Sequence, residues 1–317
     1  MRQASAQSGY RFSLLGIIVF LLIAVAIGAV LLAIIGQVLG LSLLSRPCIA
    51  EVRIDDYITE YREEPSIFSS RQRPTSEDII KQIEEANRRP DVKAIVLYID
   101  SPGGEVIASR EIYEAAKASK KPVVAYLRNL AASGAYYAAV GSDYIVSEPE
   151  AITGSIGVRA TFISLEGLFE KLGINYTVVA SGDKKAMGDI DRQLTPEERE
   201  IVQAYIDEVF SDFRSAVYES RKGNPRFTDE RFSQALDARM LSGRMAYSLG
   251  LVDEVGSRKT AFRKAADLAG IEEYSECTLS GQGGLLEAFM ESVSGVINVN
   301  VNIAPQLIDR RATVSYT

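Results

Sequence analysis

The pattern of hydrophobic and polar positions divides the chain in two. From Phe12 to Ser45 there is no charged residue, and Leu14 to Ile35 is almost purely Leu, Ile, Val, Ala and Gly. As a helix, such a run is long enough to cross about 30 Å of hydrocarbon. A cleaved secretory signal is the alternative, but the run exceeds the usual apolar core of about 7–15 residues, and no small-x-small site precedes Arg46. A permanent single-pass anchor is therefore expected. Arg2 and Arg11 precede the run without an acid, whereas Glu51, Asp55 and Asp56 follow it. That asymmetry places the body on the extracytoplasmic side of the cell membrane.

After the anchor, strand-like and helix-like runs alternate: Ile49–Ile54, Ser76–Asn87, Lys93–Ile99, Glu105–Ala118 and Val123–Leu127. The pattern predicts an α/β body with a mostly parallel sheet. Ala94 to Ile99 is continuously apolar, as a strand covered on both faces would be. Thr75 with Asp78 starts the first helix of the body as a capping box, and Pro90 stops it. Further helices are expected at Ala132–Val140 and Leu165–Leu172, and further strands at Tyr144–Val146 and Tyr176–Ala180. The clearest helix runs from Pro196 to about Arg221, capped by Thr195 and Glu198. Its stripe of Ile201, Val202, Tyr205, Ile206, Val209, Phe210, Phe213 and Val217 suits a core or a subunit interface. Asn298 to Ile303 alternates like an edge strand or a mobile tail. The expected layout is a short cytoplasmic N-terminus (1–11), an anchor (12–45), a folded body (46–270) and a C-terminal tail (271–317).

Charge narrows the partners. Three of the 35 basic residues and none of the 42 acidic ones precede Pro47, so the body is strongly acidic and repels nucleic acid. Cys48 and Cys277 are the only cysteines. An extracytoplasmic location permits a disulfide without requiring one, but two cysteines make no framework, so unpaired thiols are favoured over a pair. Histidine is absent, which excludes Ser-His-Asp and Cys-His machinery and every His-ligated metal site. A hydrolase built on this chain needs another base.

Three segments follow expected strands, where open α/β sheets build their sites. Asp100-Ser101-Pro102-Gly103-Gly104 can turn backbone N–H groups toward a ligand oxygen. A Gly-Gly turn is as often a tight connection, and neither G-x-G-x-x-G nor G-x-x-x-x-G-K-[ST] can be read there. Ala131-Ala132-Ser133-Gly134-Ala135 leaves the Ser133 hydroxyl among small neighbours, although a serine at a helix start also reads as an N-cap. Ser181-Gly182-Asp183-Lys184-Lys185 supplies adjacent lysines. Taken alone they suit a solvated basic loop, but a neutral lysine is the base available to a serine nucleophile here. Lowering its pKa from about 10.4 to about 7–8 costs on the order of 4 kcal/mol, which burial or a second cation must supply. Asp183 would oppose that shift unless it faces solvent.

These segments, with Thr153-Gly154-Ser155-Ile156-Gly157 and the run from Arg239 to Asp253, resemble in order and spacing the signal peptide peptidase A family, in the fold group of the Clp protease and crotonase. The likeness covers about Val52 to Gly256. It implies a Clp-protease/crotonase-like body working as a serine protease without metal or cofactor. On this resemblance Ser133 is the nucleophile, Lys185 the general base rather than Lys184, and Ser155 the residue that orients the base. Gly104 and Gly134 line the oxyanion hole. It further implies remnant signal peptides and other short apolar chains as substrates, membrane lipid around the N-terminal helix, and a homo-oligomer of about eight subunits sharing sites between neighbours. The rivals are a stomatin-associated membrane serine protease with the same pair, a crotonase-type acyl-CoA enzyme, and a non-catalytic membrane scaffold.

Overall fold

The computed structural model describes residues 14–38, 46–62, 74–279 and 315–316. The chain divides into two compact units, Met1–Arg46 and Pro47–Thr317. In the first, α1 spans Leu14–Val38, with side chains described from Gly16 to Gly28 and at Leu31. Among the described residues no helix is long and apolar enough to cross a membrane. Crossing the roughly 30 Å of hydrocarbon requires about 20 predominantly apolar helical residues. That finding corrects the expected transmembrane helix, its lipid partner and the single-pass membrane location.

The second unit is built on one sheet. Its central strands are β1 (Cys48–Asp55), β2 (Val92–Ser101) and β4 (Val123–Ala132). Between β2 and β4 lie the short β3 (Gly104–Glu105) and the helix α3 (Val106–Lys117). Beyond β4 come α4 (Gly134–Ala139), β5 (Tyr144–Ser147), β6 (Ile152–Gly154) and α5 (Glu166–Leu172). They are followed by α6 (Pro196–Arg221), α7 (Asp229–Ser233), β7 (Met240–Ser242), α8 (Gly243–Ser248), β8 (Glu254–Val255), α9 (Arg258–Ala269) and β9 (Ser275–Thr278). The strand order is β7-β6-β4-β2-β1-β9, with β5 on β4 and β8 on β5. Every described pairing in this sheet is parallel except β6 with β7. A separate two-stranded pairing joins β3 to β10 (Ser315–Tyr316).

The continuous apolar run of β2 is explained by cover on both faces. Ile95, Leu97 and Ile99 enter one core with Ile79 and Ile83 of α2 (Ser76–Arg88), Ile112 of α3 and Phe213 of α6. Ala94, Val96 and Tyr98 enter a second core with Ala261, Phe262 and Ala265 of α9. Burying each large aliphatic side chain contributes about 1.5–3 kcal/mol, and parallel strands require such two-sided cover.

Two expectations fail in this unit. Tyr176–Ala180 forms no strand; Val179 is 95% exposed, and a β-prone run without a ladder partner has nothing to pair its backbone. Cys48 and Cys277, expected as free thiols, form a disulfide. The reason is register: parallel pairing of β1 with β9 sets Cys48 opposite Ser275 and Ala50 opposite Cys277, leaving the cysteine Cα atoms 5.8 Å apart. Asn298–Ile303 lies outside the described residues.

Candidate active site

The site is assembled where β2 and β4 end. Strand β2 runs into Asp100, whose carboxylate accepts hydrogen bonds from the Asn129 side chain (2.7 Å) and the Leu130 amide (3.2 Å). These bonds bridge a register shift in the ladder and set Ser101 opposite Ala131. The chain then turns through Gly103, at φ 99°, with its amide donating to the Ser101 hydroxyl (3.1 Å). Gly104 follows, buried against Ile58. A Cβ on Gly104 would lie 1.9 Å from the Ile58 carbonyl oxygen, so no other residue fits here without moving the backbone.

One edge of β4 is shared by two strands: β5 pairs with Val124–Leu127, and β6 with Leu130–Ala132. That division lengthens β4 beyond the apolar run through the polar Arg128 and Asn129. Next to it, Ala132 pairs with Gly154 and the Thr153 hydroxyl donates to the Ala131 carbonyl (2.7 Å). The next residue is Ser133, held at φ 56° and ψ −123°, a region other residues than glycine rarely adopt and one that costs about 1–3 kcal/mol. Its amide donates to the Gly154 carbonyl (2.8 Å) and its carbonyl accepts from Tyr137 of α4 (2.9 Å).

Ser133 is 1% exposed, yet its hydroxyl has no hydrogen-bond partner among the described residues. It makes no side-chain cap to α4, which removes the N-cap reading of this serine. Gly134 is the first residue of α4, and helix geometry gives its amide no partner within the helix. The turn is backed by buried polar groups. The Tyr136 hydroxyl donates to the Leu251 carbonyl (2.7 Å), and burial pushes its pKa up. Beside it, Arg221 is 3% exposed and forks onto Asp253 while donating to the Gly250 carbonyl. Asp253 also accepts from Asn224 (2.9 Å) and the Ile145 amide (2.8 Å). Sequence reasoning missed this hub, whose members are far apart in the chain.

Ser155 follows β6 at φ 49°, its amide donating to the Arg239 carbonyl (2.9 Å). It therefore sits one residue from the backbone partner of Ser133. The lysine loop runs through turns between Gly182 and Gly188, both at positive φ. Lys184 pairs with Glu197 of α6 (2.5 Å). Lys185 is exposed, as is Asp183. No contact joins Lys185 to Ser133 among the described residues. The loop is tied to the start of α6 by Arg192, which donates to the Ala186 carbonyl (3.0 Å) and forks onto Glu198 with two bonds of 2.7 Å. Those bonds, with the Thr195 amide, hold the Glu198 carboxyl down at about 2. Glu198 was legible as a cap but not as the anchor of the lysine loop. The Gly104 turn, Ser133 and the Ser155 turn thus converge, while Lys185 stands apart.

Residues 115–272 match the model of peptidase family S49, and residues 51–149 that of Clp protease. A protein of Methanocaldococcus jannaschii assigned as a protease is 39% identical over 216 residues, covering 67% of this chain and 67% of its own. One of Synechocystis sp., assigned likewise, is 40% identical over 195 residues, covering 61% and 68%. Protease 4 of Salmonella typhi is 33% identical over 221 residues, which is 68% of this chain but 35% of that one. Among solved structures, a membrane-bound stomatin-specific protease with a substrate peptide is 16% identical, covering 80% of this chain and 100% of that chain at a TM-score of 0.46, a likeness too slight to carry an argument.

Proposed function

The chain belongs to peptidase family S49 and is a serine protease of the signal peptide peptidase A type, and from that premise we propose that Ser133 is its nucleophile and Lys185 its general base. The observation that carries the reading is the buried, unpartnered hydroxyl of Ser133 on a strained turn at the end of a central strand. A structural serine in that position would cap α4 or bond to a neighbour, since a buried hydroxyl left unpaired costs about 1–3 kcal/mol.

In the proposed reaction neutral Lys185 takes the Ser133 proton as the hydroxyl oxygen attacks the peptide carbonyl carbon. The oxyanion is met by the Gly104 and Gly134 amides. Lys185 returns the proton to the departing amine, leaving an acyl-enzyme that water hydrolyses by the same proton traffic in reverse. Lys185 is favoured over Lys184 because the amine of Lys184 is already engaged by Glu197. Ser155 is proposed to orient the base from its position beside Gly154. The membrane-anchored form of this activity falls with the anchor, and a count of about eight subunits finds no support.

The test is hydrolysis of short peptides by the purified chain beside its Ser133→Ala variant. Loss of turnover in a variant that keeps its circular dichroism and melting temperature supports the assignment; undiminished turnover overturns it.

A further inference from the structure

Lys185 is exposed, and among the described residues no side-chain hydrogen bond or ion pair holds its amine, whereas that of Lys184 is engaged by Glu197. A base without a side-chain partner takes its direction from its backbone. The backbone of this loop is fastened from two sides.

On the α6 side stands Arg192, and each terminal nitrogen of its guanidinium donates twice. Nη1 donates to Glu198 Oε2 (2.7 Å) and to the Gln193 carbonyl (3.1 Å). Nη2 donates to Glu198 Oε1 (2.7 Å) and to the Ala186 carbonyl (3.0 Å). Ala186 is the residue after Lys185, and its carbonyl also accepts from the Asp189 amide (3.3 Å). The Lys185 amide donates to the Gly182 carbonyl (3.2 Å), so bonds hold the chain on both sides of Lys185. The far end of the clamp is fixed too: the Glu198 side chain is 2% exposed in the first turn of α6 and accepts from the Thr195 amide (2.9 Å). On the other side, the segment that leaves the Ser155 turn takes hold. The Leu165 amide donates to the Ile190 carbonyl (2.6 Å), and Phe162 packs on Gly188, where a Cβ would come within 2.7 Å of the ring. The loop is framed between that segment and α6, and Arg192 closes the frame next to Lys185.

We infer that Arg192 is a positioning residue for the base: through the Ala186 carbonyl it fixes how the loop presents Lys185, without itself entering the reaction. Glu198 offsets its charge, so the clamp acts by placement. An ammonium, with three protons on one nitrogen, cannot span two carboxylate oxygens and two carbonyls as the guanidinium fork does. The inference deepens the Ser133/Lys185 reading and rests on it for the catalytic consequence, while the hold on the loop is independent of which amine reacts. Misplacing a reacting group by about 1 Å costs on the order of 100-fold in rate, and the loss falls on kcat.

The test compares the native chain with Arg192→Gln, Arg192→Lys and a control, Arg258→Gln, which removes ion pairs to Glu51 and Glu276 at the start of α9. Arg192→Gln should lose about 100-fold in kcat with KM changed by no more than about two-fold. Arg192→Lys should stay about tenfold or more below the native chain, because the charge is kept and the fork is not. Arg258→Gln should keep the native kcat. Amide exchange at Met187 and Asp189, whose N–H groups close the loop's turns, should quicken in both Arg192 variants and not in the control. Native kcat in the Arg192 variants, or a loss that Arg258→Gln shares, overturns the inference. Arg192→Lys carries the comparison if Arg192→Gln does not fold. If the native chain hydrolyses no peptide, the peptidase reading alone falls, and exchange decides the hold on the loop: unchanged exchange in the Arg192 variants overturns it.

Discussion

The amide of Ser133 donates to the carbonyl of Gly154 at 2.8 Å. This one bond joins the turn that carries Ser133 to the turn that carries Ser155. The parallel ladder of β4 and β6 continues through it, so the two turns are positioned by the sheet rather than by loose loops.

The backbone of Ser133 is strained for any side chain, and its hydroxyl is buried without a partner. Ser133→Gly removes both costs. It should be inactive and yet more stable than the native chain by about 1 kcal/mol, after allowing for the extra chain entropy of glycine. Thermal or urea unfolding measures the gain; a less stable variant would show that the turn is not strained in solution.

Lys185→Ala should lose turnover while keeping its melting temperature. Lys184→Ala breaks an exposed ion pair with Glu197 worth at most about 1 kcal/mol and should keep most of its activity. Equal losses at the two positions would mean that the loop, not one amine, matters.

Gly104→Ala places a Cβ against the Ile58 carbonyl, and the backbone must move by an ångström or more to admit it. Displacement of that size at a reacting centre costs on the order of 100-fold in kcat/KM. A variant with unchanged kcat/KM would remove Gly104 from the site.

Glu198 is held down at about 2 against an ordinary value of 4.5. A carboxyl whose pKa is depressed on folding stabilises the fold fully above its unfolded value, and that contribution is lost as pH falls toward the folded value. The melting temperature of Glu198→Gln should therefore lie below that of the native chain at pH 6, with the gap closing between pH 4.5 and about pH 2. A gap that persists undiminished at pH 2 would assign the effect to geometry instead of charge.

Much of the architecture was legible because it is locally encoded. Thr75 with Asp78, and Thr195 with Glu198, announce their helices by capping boxes that form as expected, and the apolar run of β2 announces its own burial. What stayed hidden depends on pairing between distant segments. Arg128 and Asn129 read as the end of a strand, but β6 prolongs β4 past them. Tyr176–Ala180 reads as a strand from propensity alone, and no neighbour takes it up. The two cysteines meet only because of the β1–β9 register. At the site, the residue types of the Ser133 turn were readable, whereas its positive φ, the Asp253 hub and the Arg192 clamp on the lysine loop follow from tertiary contacts among residues with no shared local pattern.

The bond between Cys48 and Cys277 spans a sequence separation of 229 residues, and every residue proposed here to act in catalysis lies inside that loop. It therefore works as a mechanical bypass. Tension applied between the segment before Cys48 and the segment after Cys277 passes through the sulfur–sulfur link and never loads the strands that hold Ser133. Under reducing conditions the same pull would run through the sheet, shearing the parallel β9 along β1 before it reached the turns that hold Ser133 and Ser155.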